Sequence, residues 1–400
     1  MTLRLSTSLI YQNGMNALLD NQGRLSYTQM QLSTGRRILS PSDDPSGAVQ
    51  ALELRRAIDT TNQYQENIDL ASTRLRLEES TLGSVNDNLQ RVRELAVQAS
   101  NDTQDDTTRA GLAVEIGERL SELFSLANTR DSNGEYIFAG YRSQGEPFVR
   151  TAAGFVYNGD DGQRFLQVSP VRQVAIGDSG TDVFYAIPDG NGTFSTAGAA
   201  GNTGTGVIDS GTVNNLTAWV PDDYTISFTG PTSYDILDGG GATIASGTYR
   251  SGDTIAFNGV QVTITGTPST GDAFSVSASA PKDLFSMVQD LQTLLTTPTT
   301  TGAEQAQFHS RVNRSLTELN QAMDRILTVR ADVGGRMNAL DSQQAIHEAA
   351  AVSFEQNLSE VQDLDYAEAI SRFNQQLVTL QAAQQTYVKV QGLSLFNYIA

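Results

Sequence analysis

From Ile68 onward, Ala71, Leu75, Glu78, Leu82, Val85, Leu89, Val92, Ala96 and Ala99 recur in alternating steps of three and four residues, and only Glu78 breaks the apolar run. That spacing is the seam of a coiled coil. A second seam runs through Val312, Leu316, Leu319, Met323, Ile326, Arg330, Val333, Met337, Leu340, Gln344, His347, Ala351, Phe354, Leu358 and Val361, apolar at 12 of its 15 positions. Unbroken, such a helix would be a rod of roughly 75 Å at 1.5 Å per residue, with Gly334-Gly335 as the place where it could bend. Ala113, Ile116, Leu120, Leu123 and Ala127 predict a shorter helix after the first seam.

The middle of the chain changes period. Tyr224, Ile226 and Phe228 alternate, and so do Ile255 and Phe257, followed by an Asn258-Gly259 turn and then Val260, Val262 and Ile264; this is a strong hairpin signal. A second hairpin is expected across 158–162, between Phe155-Val156-Tyr157 and Phe165-Leu166-Gln167-Val168. Residues 189–215, mostly Gly, Ser, Thr, Asn and Ala, have little to bury and read as a loop or mobile excursion. Composition agrees: residues 151–281 hold 21 of the 35 glycines and 6 of the 10 prolines, with no glutamate and three leucines, which excludes helix. The expected fold is therefore mainly α with an inserted all-β domain, on a long antiparallel coiled-coil bundle built from both chain ends.

Both ends are short of charge. Residues 1–34 carry only Arg4, Asp20 and Arg24, and residues 371–400 only Arg372 and Lys389. They are nevertheless patterned: Tyr11, Leu18, Leu25, Leu32 and Leu39 recur every seven residues, and Tyr366, Ile370, Phe373, Leu377 and Leu380 follow helical spacing. A free helix exposing such a stripe is only marginally stable, and Gln, Asn, Ser and Thr can enter a crowded contact without burying an unpaired charge. Packing against other copies or partners is the expectation; pairing of the two ends inside one chain is the competing one.

Charge and chemistry narrow the function. With 26 Lys and Arg against 45 Asp and Glu, the formal charge is −19, so nucleic acid is not an expected partner. No stretch is long and apolar enough for a membrane helix, and the N-terminus lacks the basic start and apolar block of a cleaved secretory signal. There is no cysteine, and His309 and His347 are the only histidines; they read as packing residues, with no acid pair or nucleophile spaced for a triad. The acids at Asp43-Asp44, 102–106 and 160–161 lack the ligand pattern of a calcium loop and suit caps and turns. No catalytic residue, cofactor or metal site is expected.

Several strings carry a family resemblance. Leu32-Ser33-Thr34-Gly35-Arg36-Arg37-Ile38 followed by Ser42-Asp43-Asp44-Pro45-Ser46-Gly47-Ala48 resembles the signature near the N-terminus of bacterial flagellins and hook-associated proteins; physically it is a helix stop, a turn and an N-cap with Pro45 opening the next helix. Leu89-Gln90-Arg91-Val92-Arg93-Glu94-Leu95-Ala96-Val97-Gln98-Ala99 resembles the inner-rod helix of flagellins. Asn133-Gly134-Glu135-Tyr136-Ile137-Phe138-Ala139-Gly140-Tyr141, and the C-terminus from Asp365-Tyr366-Ala367 to Phe396-Asn397-Tyr398, resemble the hook-associated branch rather than filament flagellins.

The resemblance implies three domains: a terminal, inner-tube one (1–44 and 361–400), a helical rod (45–148 and 282–360), and a β domain on the outside (149–281). It implies a structural adaptor at the hook–filament junction, exported without a cleaved signal by the flagellar type III apparatus and self-associating in a ring. The first hook-associated protein, the filament flagellin or filament cap complex, and an export chaperone on the C-terminal helix would be its partners. Assembly is expected to rest on Leu5, Leu9, Leu18, Leu25 and Leu32 at one end and Phe373, Leu377, Leu380, Leu395 and Phe396 at the other. Asp43, Asp44, Pro45, Arg91, Glu94, Leu95 and Gln98 carry the family motif; Arg91, Leu95 and Gln98 match positions through which flagellins are recognised by an innate immune receptor, with rod packing as the favoured role. A filament flagellin, an adhesin acting through the β domain, and an enzyme are the alternatives.

Overall fold

The computed structural model describes residues 7–152 and 154–392. They divide into two compact units, Met1–Glu66 with Gln343–Ala400, and Asn67–Ser342. Three helices precede the β-rich segment, α1 (Thr7–Thr34), α2 (Pro45–Ala99) and α3 (Asp106–Ala127); three follow it, α4 (Leu284–Leu295), α5 (Gly302–Gln362) and α6 (Tyr366–Gly392). Helices and antiparallel sheets thus combine as the periodicities predict. Helix α4, with Asp283 capping the Ser286 amide at 2.7 Å, was not among the predicted elements.

In the Asn67–Ser342 unit, all nine positions of the first seam, from Ala71 to Ala99, are at most 1% exposed, Glu78 included. On α5 the buried positions Val312, Leu319, Ile326, Val333 and Leu340 return every seven residues, while Leu316, Met323 and Met337 pack against the same core half-covered. Arg330, the polar interruption of that seam, reaches Glu79 at 2.6 Å. The five predicted α3 positions are all buried, and each fully covered leucine contributes roughly 1.5–3 kcal/mol. Helix α5 remains helical through Gly334-Gly335.

The first strands join this helical core. Strands β1 (Phe148–Thr151) and β2 (Gly154–Tyr157) pair with each other, as do β3 (Phe165–Ser169) and β4 (Arg172–Ala175). The hairpin expected across 158–162 is therefore not formed. Residue Asp160 instead accepts the Tyr141 and Gly162 amides at 2.9 and 2.8 Å, tying that turn to the 133–141 segment, and each strand turns back on its nearer neighbour. A single helical turn at Thr181–Tyr185 departs from the all-β expectation; it buries Phe184 against Phe138, Phe148 and Phe285, with ring centroids 5.1–5.8 Å apart.

Strand β5 (Ile187–Pro188) leads into a second apolar core, of Phe194, Ile226, Phe228, Val260, Val262, Phe274 and neighbours. It lies between β6 (Phe194–Gly198), β7 (Val207–Ile208), β8 (Thr212–Val213), β9 (Tyr224–Gly230), β10 (Ser233–Leu237), β11 (Thr243–Thr248), β12 (Thr254–Phe257), β13 (Val260–Thr265) and β14 (Ala273–Ala278). The order β11-β10-β9-β14-β6 forms one sheet, and β12-β13-β7 the other, with β8 also on β13. The Asn258-Gly259 turn is as predicted, with φ of 44° and 79°, joining Phe257 to Val260.

Residues 189–215 are not a loop. They supply β6, β7 and β8, anchored by Phe194 and Ile208 at 0% and 1% exposure. Two large residues suffice because side chains satisfy the intervening backbone: Asp209 accepts the Gly211 and Thr263 amides, and Asn202 exchanges hydrogen bonds with Ala273. Finally β15 (Pro281–Lys282) pairs antiparallel with β5, so the chain leaves the second core beside where it entered.

Candidate assembly surface

The unit formed by the chain ends is held by a clasp. Helix α1 stops at Gly35, whose φ of +68° only glycine adopts without strain, and whose amide closes on the Gln31 carbonyl at 2.9 Å. The following residues run antiparallel to the α5–α6 turn: Arg37 N donates to Gln362 O at 2.8 Å, and Leu364 N to Gly35 O at 3.0 Å. Arg37 also sends its guanidinium to Val361 O at 2.7 Å and Asp44 at 3.2 Å. Buried Gln31 donates to Arg37 O at 2.6 Å, and Arg55 to the Gln362 side chain.

The two acids of the motif have distinct tasks. Asp44 caps α2: its Oδ1 accepts Gly47 N at 2.9 Å and its carbonyl accepts Ala48 N, with Pro45 in the first helical position. Asp43 accepts the Leu39 and Ser40 amides at 3.1 and 2.7 Å. The Ser40 amide, then the Tyr27 hydroxyl, holds the Asp43 carboxyl below its usual range; the Gly47 amide, then Ser46 and Arg37, does the same for Asp44. Burial, with Asp43 beside it, pushes Tyr27 up. Asp365 opens α6 in the same manner, accepting the Ala367 and Glu368 amides.

Beyond the clasp, α1 and α6 pack along each other, with Tyr11 and Tyr387 edge to face at 6.4 Å and Gly14 leaving room for the Tyr387 ring. Leu18, Leu25 and Leu32, with Phe373, Leu377 and Leu380, are half-buried. Leu9 is exposed; Leu5, Leu395 and Phe396 lie outside the described residues. A second set of apolar residues on the same helices stays outside: Met15, Leu19 at 58% and Met30 on α1, Ile370, Val378 at 62% and Val388 at 66% on α6. Of this second set, sequence spacing picks out Ile370 alone, as part of the stripe of Phe373 and Leu377; it misses the others because their intervals are irregular, and it misses Gln31 and Gln362 because they are polar.

The remaining motif residues sit in the Asn67–Ser342 unit. Leu95 is fully buried, while Arg91 pairs with Glu115 at 2.8 Å and Glu94 at 3.0 Å, and Gln98 is exposed, the arrangement of a helix packed on its neighbour. In the 133–141 segment, Arg74 and then Arg164 hold Glu135 down at about 2. The histidines have ordinary neighbours: His347 stacks on Tyr64 at 5.4 Å, and His309 Nε2 lies 2.9 Å from Asp102. Among the described residues no group of three or more His, Asp or Glu could hold a metal ion, and no helix is long and apolar enough to cross a membrane.

Paired end helices with apolar residues left outside, and a separate unit with a long helical core, define a scaffold protein whose working parts are surfaces. Residues 5–143 match the family described as the bacterial flagellin N-terminal helical region, and residues 316–399 the bacterial flagellin C-terminal helical region. Flagellar hook-associated protein 3 of Escherichia coli K12 is 27% identical over 396 residues, 99% of each chain. The crystal structure of flagellar hook associated protein-3 from Legionella pneumophila superimposes with a TM-score of 0.74 at 34% identity, over 77% of this chain and 98% of that one. A structure titled flagellar junction protein FlgL, also from Legionella pneumophila, gives 0.68 at 35% identity, over 73% and 99%. The chain belongs to the bacterial flagellin family, in its hook-associated protein 3 group. Its relatives are structural proteins of the flagellum.

Proposed function

We propose that this chain is the adaptor at the hook–filament junction, a ring of copies that caps one helical lattice and presents a compatible surface to the next. The observation that carries the reading is the apolar surface left on α1 and α6, helices almost without charge: Leu19, Val378 and Val388 are each more than half exposed. Burial of such residues between copies contributes the free energy that offsets the ordering of the ends. Residues 1–44 and 361–400 would line the inner tube, 45–148 and 282–360 the rod, and 149–281 the outside. The assembly contacts would come from Leu5, Leu9, Leu18, Leu25, Leu32, Phe373, Leu377, Leu380, Leu395 and Phe396.

The finer parts of the reading follow from family membership: export unfolded by the flagellar type III apparatus to the outside of the cell, a chaperone on the C-terminal helix before export, and contacts with the first hook-associated protein and with the filament or its cap complex. The role is structural, without catalysis. Deleting the gene in the source bacterium tests it. Hooks without filaments, with flagellin shed into the medium, support the adaptor; normal filaments, or absent filaments with no secreted flagellin, overturn it. Chains lacking residues 371–400 should be soluble and folded but unable to restore motility.

A further inference from the structure

We infer that neighbouring copies meet head to tail at the clasp, the acidic cleft of one copy receiving the arginine-lined groove of the next. Arg36 is bridged to Asp363 and Arg37 follows it in a bend, and the two consecutive side chains line different hollows. Arg37 lines a cleft of about 580 Å³, and Arg36 a groove of about 260 Å³, with Ile38 bordering both. One segment thus carries two different surfaces.

The surfaces are complementary. The cleft holds Asp43, Asp44, Glu360, Asp363, Asp365 and Glu368 against Arg37 and Arg372, a balance of 2 − 6 = −4. The groove holds Arg36 and Arg55, no acid, and the apolar Leu39, Pro41, Ala51 and Leu52. Each side also leaves a group waiting. Gln31, 4% exposed and lining the cleft, has an Oε1 with no donor. Among the described residues the Arg36 guanidinium has no hydrogen bond or ion pair. A guanidinium offers only donors, and the cleft is rich in acceptors.

Two unlike surfaces on one chain make a heterologous contact, which repeats from copy to copy and closes into a ring when the rotation allows; a symmetric contact would stop at a dimer. The inference therefore rests on the ring reading above and adds its polarity. The apolar floor of the groove gives the contact area, and the charges set its direction.

The absence of cysteine makes the test clean. Leu52→Cys and Glu360→Cys chains, altered at exposed positions of the groove and of the cleft, are produced together in a strain lacking the natural copy, and isolated hook–filament particles are treated with a short bismaleimide. Covalent dimers only when both versions are present are the expected result. Dimers from either version alone show a symmetric contact and overturn the inference. Attached filaments without the 52–360 product overturn the head-to-tail contact and leave the adaptor reading intact; normal filaments in cells lacking the protein altogether would instead defeat that reading. Ala48→Cys, in the same groove, replaces Leu52→Cys if that version does not assemble. Adding Arg36→Glu to the Leu52→Cys chain should cut the product about tenfold, and an unchanged yield overturns the ionic recognition.

Discussion

The Glu78 carboxylate accepts the backbone amide of Asp178, 100 residues away in sequence, at 3.0 Å inside an otherwise apolar helical seam. Burial, with the Asp178 carboxylate beside it, pushes Glu78 up to about 8, against the pull of the Asp178 amide and Arg336. Arg336 in turn grips Asp178 through two hydrogen bonds of 2.8 and 2.9 Å.

Because the folded-state value lies above the ordinary 4.5, the contribution of Glu78 is fully present below about pH 4.5 and is lost as pH rises to about 8. Glu78→Gln, which mimics the protonated form, should flatten that decline. Urea unfolding between pH 5 and 8 checks it: the variant should gain stability over the natural chain toward pH 8, and parallel curves would refute the assignment.

Glu135 works in the opposite direction. Held at about 2 by Arg74 and then Arg164, below the ordinary 4.5, it contributes stability above about pH 4.5 that disappears as pH falls toward 2. Partial exposure to water limits the loss from Glu135→Gln at neutral pH to roughly 1 kcal/mol. In thermal melts both variants should therefore converge with the natural chain at low pH and part from it in opposite directions as pH rises, Glu78→Gln becoming the more stable and Glu135→Gln the less stable.

Leu82 is fully covered in the α2 seam. Truncation to Ala should cost about 2–5 kcal/mol, read as a lower urea midpoint with an unchanged slope.

Gly35→Ala should loosen the clasp. The left-handed backbone alone costs about 1–2 kcal/mol, and the new Cβ would stand 2.8 Å from the Tyr366 hydroxyl. Faster hydrogen exchange is expected at the Arg37 and Leu364 amides, with Leu89 and its neighbours unaffected.

Residues 190–279 should be dispensable for the fold of the helices. Strands β5 and β15 are paired neighbours, and Asp189 N reaches Ala280 O at 3.0 Å, so a short Gly-Ser bridge can replace everything beyond them. Circular dichroism should show undiminished helix and an unchanged helical melting transition; a collapse of both would mean that the second core supports the first.

Local patterns were readable wherever one residue type solved one local problem. The heptad seam, the α3 face, the Asn258-Gly259 turn and the Asp44 cap with Pro45 all follow from spacing or from a single hydrogen bond. Partner choice at long range was less legible. Leu18, Leu25 and Leu32 announce an apolar stripe, but spacing alone does not say that α6 covers half of it, nor that Met15, Leu19 and Met30 form a further face. The strands of 189–215 were hidden for a related reason: Phe194 and Ile208 carry the burial, while Asn and Asp side chains do work that repeated apolar residues do elsewhere. The clasp itself is built from Gln31, Arg37 and Gln362, whose meaning depends on backbone carbonyls contributed from the other end of the chain.

That last dependence has a consequence in time. The Arg37 guanidinium and the Val361 carbonyl are 324 residues apart along the chain, and α1 and α6 are mates drawn from its two extremities. Whichever end emerges first must wait, single and partly apolar, until nearly all the rest has followed. The seams of α2 and α3 can close early from neighbouring segments; the pairing of the ends is necessarily a late event, and so is the moment at which the molecule acquires the surface it offers to others.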